Sequence, residues 1–132
     1  MRRRARWPLL ALSLLPSGLA SCGLLGSTQE IDVAVDKVTF PASALATGPL
    51  ELSIQTYVGA CDSFKEFRAM RIANRLSLRA YGTRPVQPDG SSPCVTLVRL
   101  ETHTYTDPGT PARTGPFEVV VNGKSYGTVS VQ

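Results

Sequence analysis

The fold is decided by a stretch of strict alternation near the middle of the chain, where residues 50–58 read LELSIQTYV. Apolar side chains and one threonine occupy every second position, and more polar side chains lie between them. Successive side chains of a β-strand point to opposite faces, so this pattern is typical of a strand with one buried and one exposed face. The stretch therefore predicts a half-buried strand of a sheet.

Three other segments carry the same signal. Residues 31–40 alternate with a change of phase at Asp36-Lys37, which predicts a β-bulge or bend. Residues 95–106 form a long strand candidate that is apolar at first and polar later, and residues 117–121 alternate again. Together these segments favour a fold built mainly of strands.

Asn122-Gly123 is the strongest hairpin signal in the chain, because both central residues of a type I′ turn need a positive φ. A two-residue turn would join residues 117–121 to residues 124–131 and set Val119 opposite Tyr126. Val129 and Val131, near the end of residues 124–131, would then face away from the core. A bulge at Gly127 would return them to the core side, so we expect one there.

Residues 64–81 are ambiguous. A helix would gather four arginines on one face, but Phe64 and Ile72 would fall among them. Two strands joined by the turn Ala73-Asn74-Arg75 fit better, with Ile72 against Leu76 and Met70 against Leu78 on a core face. A short helix over Ser63–Met70 is the alternative. In the two-strand interpretation the arginines form a possible contact patch of Arg68, Arg71, Arg75 and Arg79, with Arg71 and Arg79 on the outer face.

The whole pattern gives six or seven strands in residues 31–132, separated by turn-rich loops at residues 82–93 and 107–116. Such spacing is typical of an all-β, antiparallel β-sandwich. The layout resembles the immunoglobulin-like domains of bacterial surface proteins, although the only tryptophan, Trp7, lies outside it. A small barrel is the alternative.

The N-terminus has the pattern of an export signal. A basic segment, Met1–Arg6, precedes the apolar run LLALSLL at residues 9–15, which is too short to span a bilayer. Leu19-Ala20-Ser21-Cys22 resembles the lipobox of bacterial lipoproteins. The resemblance implies that residues 1–21 are removed as a signal peptide and that Cys22 receives diacylglycerol and a further acyl chain such as palmitate. Residues 22–30 are then a membrane tether; an ordinary signal peptide is the alternative.

Two cysteines remain after Cys22, and an even number in an oxidising compartment predicts one disulfide, Cys61 to Cys94. A redox pair or a metal site is the alternative, but neither cysteine has a C-x-x-C neighbour. His103 is the only histidine, and a zinc site needs three or four ligands. We therefore expect no metal and no cofactor.

The net positive charge of the chain lies in residues 1–21, the predicted signal peptide. Residues 1–21 contain four arginines and no acid, so the remaining ten basic and ten acidic residues balance. A nucleic-acid partner is excluded by this balance, because polyanion binding needs a surplus of cations.

The sequence thus predicts a non-enzymatic binding or structural protein of the bacterial envelope. It would be held to the cell membrane or outer membrane through Cys22 and would contact an envelope protein or glycan. One alternative is a small-ligand carrier with a cavity between the sheets. Another is a small hydrolase that uses His103, although no nucleophile and acid stand out beside it.

Overall fold

The computed structural model describes residues 27–86 and 97–132, which form nine β-strands in two sheets. In this part of the chain no helix is long and apolar enough to cross a membrane. The predicted all-β class is confirmed. The strands are β1 (Ser27–Asp32), β2 (Ala34–Thr39), β3 (Ser43–Ala44), β4 (Leu50–Gly59), β5 (Ser63–Ile72), β6 (Arg75–Val86), β7 (Val98–Asp107), β8 (Phe117–Val121) and β9 (Lys124–Val131).

The smaller sheet has the order β2-β4-β7 and is antiparallel throughout. Its central strand β4 buries every second side chain, as the alternation in residues 50–58 predicts. The pairing of β2 with β4 shifts between Val35 and Lys37. This shift confirms the bulge predicted at Asp36-Lys37.

Strand β6 is the centre of the larger sheet, because three strands pair with it. β5 runs antiparallel along one edge. The other edge is divided, with β8 parallel to residues 75–78 and β1 antiparallel to residues 81–86. β9 pairs with β8, and the short β3 is added in parallel to β9. Each end of β6 is therefore held by a different part of the chain.

The two sheets pack face to face around one apolar core. Burial of each large apolar side chain stabilises such a core by roughly 1.5–3 kcal/mol. A smaller cluster of Val33, Val58 and Ala80 closes the end at which β4 finishes. The main core consists of Leu50, Leu52, Ile54, Leu76, Leu78, Phe117, Val119, Val121 and Val129, each at most 1% exposed.

Asn122 fills the gap between β8 and β1 along the edge of β6. Its φ of 51° and the 79° of Gly123 confirm the predicted two-residue turn. The Asn122 Oδ1 accepts a hydrogen bond from the N–H of Ala80 at 3.0 Å, and Nδ2 donates to the Val33 carbonyl at 2.8 Å. One side chain thus satisfies two backbone groups for which no neighbouring strand is available.

The bulge expected near Gly127 is also confirmed. Val119 faces Gly127 and not Tyr126, so Tyr126 is the extra residue on β9. Gly127 has a φ of 131°, a conformation that suits glycine. The change of phase returns Val129 to the core, where it is fully buried.

Residues 63–86 form two strands, so the helical alternative over Ser63–Met70 is wrong. The predicted register is wrong as well, because the turn has two residues, Ala73-Asn74, and Ile72 faces Arg75 and not Leu76. A slip of one residue moves every side chain of a strand to the opposite face. Met70 and Ile72, predicted in the core, therefore lie on the outer surface.

Three further expectations need correction. The described residues form nine strands, not six or seven, and the pairs β3–β9 and β6–β8 are parallel, so the fold is not purely antiparallel. β1 begins at Ser27, within the predicted tether, and β6 continues to Val86, within the predicted loop. These segments pair with each other at a sheet edge, where both faces are largely exposed and no alternation is required.

We predict that Asn122→Gly lowers the free energy of unfolding by about 1–3 kcal/mol, because the N–H of Ala80 and the Val33 carbonyl lose their partner. Glycine keeps the positive φ, so the loss reports the amide together with about 0.4–1 kcal/mol from the greater freedom of the unfolded chain. Urea denaturation measures it, with Asn74→Ala in the other turn as the control. Equal stability of the wild type and Asn122→Gly would contradict this role.

Candidate interaction surface

The outer face of the larger sheet places three of the four predicted patch arginines in solvent. Arg68 on β5 lies opposite Arg79 on β6, and Arg75 follows the turn between these strands. All three are exposed. Arg71, the fourth, does not belong to this face.

Two large apolar side chains lie between these arginines. Met70 is 79% exposed and Ile72 is 49% exposed. They line a shallow groove of about 480 Å³ that extends across the sheet to β8 and β9. We call this area the outer-face patch; its residues are Met70, Ile72, Arg75, Ser77, Arg79, Glu118 and Val120.

The outer-face patch carries two arginines and one glutamate, and Glu118 lies opposite Arg75 in the pairing of β8 with β6. Among the described residues, Arg75 and Arg79 form no ion pair, and the Glu118 carboxylate accepts a hydrogen bond from the Ser125 hydroxyl at 3.3 Å. Exposed apolar area beside free guanidinium groups is a composition that occurs at protein interfaces, where arginine and methionine are enriched.

Arg68 has a bracing role. Its guanidinium donates to both carboxylate oxygens of Glu30 at 2.6 and 2.9 Å and to Glu66 at 3.0 Å. It also lies over the Tyr81 ring, 3.9 Å from the centroid. The hydrogen bonds from Arg68 lower the pKa of Glu30. Arg68 therefore links β1 to the β5–β6 hairpin and is less available to a partner than Arg75 or Arg79.

Arg71 points between the sheets, which corrects its predicted position on the outer face. Its Nε donates to Asp107 Oδ1 at 2.9 Å, and its Nη2 donates to the carbonyl of Pro111 at 2.8 Å. The guanidinium also lies 4.7 Å from the ring centroid of Phe117. The side chain of Arg71 is only 10% exposed and that of Asp107 1% exposed, so the ion pair is almost completely removed from water.

Arg113 completes this buried cluster from the loop before β8. Its Nη2 donates to Asp107 Oδ2 at 2.5 Å, and its Nη1 donates to the carbonyls of Leu45 and Gly48 at 2.7 and 2.6 Å. The side chain is fully buried. Arg113 thus ties the loop at residues 107–116 to the loop at residues 45–48.

Sequence reasoning did not identify Asp107 and Arg113 as a pair. Asp107 begins the turn-rich loop at residues 107–116, and Arg113 lies in the same loop, which has no periodicity. Only six positions separate the two, but Arg71 and the carbonyls of Leu45 and Gly48, which complete the cluster, come from distant parts of the chain. The one available signal was an arginine inside a loop that otherwise contains small residues and proline.

His103, the residue of the hydrolase alternative, is half-buried beside β5. Its ring stacks on Phe64 with centroids 3.8 Å apart, and Nε2 lies 3.1 Å from Glu101 Oε2. Burial raises the pKa of Glu101, but hydrogen bonds from Arg99 and His103 outweigh burial and lower it. The groups in contact with the His103 ring therefore include one carboxylate, that of Glu101, and one aromatic ring, that of Phe64.

A cleft of about 500 Å³ opens at the end of the domain where β4 finishes. Cys61, Asp62, Arg84, Leu97 and Val98 are among its lining residues. Cys94 and Cys22 lie outside the described residues, so the disulfide and the lipid attachment stay predictions. Within residues 27–86 and 97–132 no group of three or more potential metal ligands occurs.

Comparison of the chain with protein-family models, with curated proteins and with solved structures finds no match in any of the three. The function must therefore be argued from the geometry of the domain itself.

We predict that Asp107→Asn lowers the free energy of unfolding by about 3–5 kcal/mol, because Arg71 and Arg113 would remain buried without a counter-charge. Glu66→Gln, which removes an exposed partner of Arg68, is the matched control and should cost at most about 1 kcal/mol. Urea denaturation of both variants gives the comparison. A loss for Asp107→Asn no larger than that of the control would contradict the role of the cluster.

The stability of the fold should depend on pH through the ionisation of Asp62. The hydrogen bonds from Arg84, each 2.9 Å, lower the pKa of Asp62 below its ordinary value of 3.8. A carboxylate with a lowered folded pKa stabilises the fold above its ordinary value, and this contribution is lost as the pH falls through the folded pKa. The stability difference between the wild type and Asp62→Asn should thus be largest at neutral pH and disappear in acid.

Urea midpoints measured for both proteins from neutral pH to below the ordinary value give this difference. Asp32→Asn is the control, because Asp32 is exposed and forms no ion pair among the described residues. A difference for Asp62→Asn that stays constant with pH would show that Arg84 does not stabilise the ionised form.

Proposed function

We propose that this chain is a lipid-anchored protein of the bacterial envelope whose β-domain binds a protein partner and catalyses no reaction. The anchor is Cys22, joined to the cell membrane or outer membrane. The binding surface is the outer-face patch. The observation that carries the proposal is the exposure of Met70 and Ile72 beside Arg75 and Arg79, two arginines that form no ion pair within residues 27–86 and 97–132.

The anchoring part of the proposal is supported by the lipobox-like residues 19–22 and by the position of β1. Ser27, the first residue of β1, follows Cys22 by five positions. Five extended residues reach at most about 18 Å. Because Ser27 pairs with Val86 at the last position of β6, the anchor would lie near that end of the domain.

The outer-face patch lies toward the opposite end of the same strand. β6 contains twelve residues, from Arg75 to Val86, so its ends are roughly 35–37 Å apart at the rise of a strand. A surface at this distance from the anchor faces the space beyond the membrane. This distance makes a lipid headgroup less favoured, and the apolar centre of Met70 and Ile72 favours a protein over a glycan as the ligand of the patch.

The partner should be complementary in charge and shape. Met70 and Ile72 offer an apolar centre, and Arg75 and Arg79 offer cations at its rim. Interfaces of this composition use the apolar centre for affinity and the charged rim for orientation and association rate. The proposed partner is thus an envelope protein with an apolar side chain surrounded by carboxylates.

The domain itself we propose to be an immunoglobulin-like β-sandwich. Two facing sheets, a core contributed by both of them and a β1 strand that shares an edge of β6 with the parallel strand β8 support this assignment. Immunoglobulin-like domains commonly serve as binding modules, in which a rigid pair of sheets supports a recognition surface.

Two observations make the alternatives less favoured. The ring of His103 is covered by Phe64, which restricts the approach of a substrate to one of its faces. The space between the sheets is occupied by the side chains of the main core, so a carrier would have to use the open cleft near Cys61.

A photo-crosslinking amino acid at position 72, in cells that carry the full chain with its signal, tests the proposal. We expect one discrete adduct, and we expect Arg75→Glu with Arg79→Glu to reduce its yield by about tenfold, since two favourable charges become repulsive. The crosslinker at Lys37, on the outer face of the smaller sheet, is the matched control and should give no such adduct.

Metabolic labelling with a fatty-acid probe is carried out on the same cells, and Cys22→Ser should remove the label. Absence of an adduct at position 72, or an adduct of equal yield at Lys37, would refute the binding surface. Absence of fatty-acid label on the wild type would refute the anchor.

A further inference from the structure

We infer that the end of the domain where β1 begins rests on the bilayer surface, with the side chains of Leu97, Val98 and Leu100 inserted among the lipids. This contact depends on the lipid anchor proposed above and specifies the orientation of the domain on the membrane.

The evidence begins with the placement of exposed apolar side chains. Four of them are near one end of the smaller sheet: Leu97 is 67% exposed, Val98 63%, Leu100 52% and Tyr57 43%. Large apolar groups of this exposure that lie side by side mark a contact surface for a protein or a membrane, and the nearby anchor favours the membrane here.

These residues are held together by strand pairing. Val98 lies opposite Gly59, and Leu100 lies opposite Tyr57 on the outer face of the sheet. The Leu97 carbonyl accepts a hydrogen bond from the N–H of Ala60 at 2.8 Å. The apolar residues therefore form one rigid surface, which we call the apolar end.

Arg99 supports the apolar end from the inner face of the smaller sheet, where it lies opposite the buried Val58. Its Nη1 donates to the carbonyl of Gly59 at 2.8 Å, and its Nη2 donates to the carbonyl of Asp62 at 2.9 Å. The guanidinium of Arg99 is thus bound by backbone carbonyls of the loop at residues 59–62. The side chains of its chain neighbours, Val98 and Leu100, point outward. A guanidinium fixed below apolar side chains suits a shallow contact, in which only the outermost groups enter the lipid.

The short distance in sequence between Cys22 and β1 favours a bilayer as the occupant. The described chain begins at Ser27, four residues before Ile31, and Ile31 lines the same cleft as Leu97 and Val98. Ser27 follows Cys22 by only five positions, a reach of at most about 18 Å. Ile31 follows Ser27 by four positions, about 13 Å along β1, so acyl chains on Cys22 would hold the membrane within roughly 30 Å of the apolar end.

The charges at this end permit a shallow contact and oppose a deep one. Asp62 is neutralised by Arg84, and Asp36 accepts a hydrogen bond from the Tyr57 hydroxyl. Asp32 is exposed close by. Carboxylates in these positions would stop insertion at the level of the headgroups, as in proteins that lie in the interface.

Tryptophan fluorescence gives a direct test, because the single tryptophan, Trp7, leaves with residues 1–21 when the signal is removed. Leu97→Trp is produced from the full chain with its signal, purified in the lipidated form and reconstituted into phosphatidylethanolamine–phosphatidylglycerol vesicles with brominated acyl chains. We expect bromine to quench its emission at least about twofold more than that of a reporter outside the membrane, since interfacial groups lie about 5–10 Å deep.

Leu45→Trp is the matched control. Leu45 is 62% exposed, close to the 67% of Leu97, but lies beside Arg113 at the opposite end of β4. Its emission should be unaffected by bromine. If Leu97→Trp does not fold, Leu100→Trp takes its place with the same expectation.

Flotation of the vesicles separates the two proposals. Protein that floats with the vesicles, while position 97 is quenched no more than position 45, overturns the orientation and leaves the anchor intact. Protein that does not float overturns the anchor, and the orientation falls with it.

Discussion

The contact between Arg71 and Asp107 determines which face of the β5–β6 hairpin is exposed. Once the guanidinium is buried against this carboxylate, the neighbours of Arg71 along β5 must point outward. Met70 and Ile72 then lie in solvent beside Arg75. The outer-face patch therefore exists because an ion pair, and not an aliphatic side chain, occupies the inner position.

The Asp107 carboxylate also holds together the end of the domain that is farthest from Ser27, the first residue of β1. Asp107 receives Arg113 as well as Arg71, and Arg113 reaches the loop after β3. Two cations share one buried anion, and carbonyl oxygens accept several of the other N–H groups, whereas Arg113 Nε has no hydrogen-bond partner among the described residues. Loops that would otherwise be connections are thus fastened to the core.

The opposite ends of β6 have different surroundings, and the proposed function uses this difference. Near Val86 the strand pairs with β1, and the apolar end lies close by. Near Arg75 it pairs with β8 and borders the outer-face patch. In the proposal, one end of the strand contacts the membrane and the other end contacts a partner, so the rigid length of β6 determines the distance between them.

Sequence reasoning succeeded where burial and alternation coincide. β4 was predicted because each inward side chain meets the core, and the Asn122-Gly123 turn was predicted because its φ values restrict the residues. β1 was missed because its residues 27–30 pair at an edge with both faces in solvent. The register of β5 was wrong because an inward arginine breaks the apolar pattern, and its partner is 36 positions away in the chain.

The wrong register of β5 also changes which residues are predicted to form the outer-face patch. The sequence pattern identified the right segment and both arginines of the patch, Arg75 and Arg79, but it placed Met70 and Ile72 in the core and Arg71 outside. Only knowledge of the long-range contact to Asp107 reverses these assignments.

Backbone NOEs between β5 and β6 in the isotope-labelled protein measure this register most directly. The account predicts cross-strand NOEs that join Arg71 to Leu76 and Ala69 to Leu78. NOEs that join Ile72 to Leu76 and Met70 to Leu78 would contradict it, because they would return Met70 and Ile72 to the core and remove the proposed binding surface.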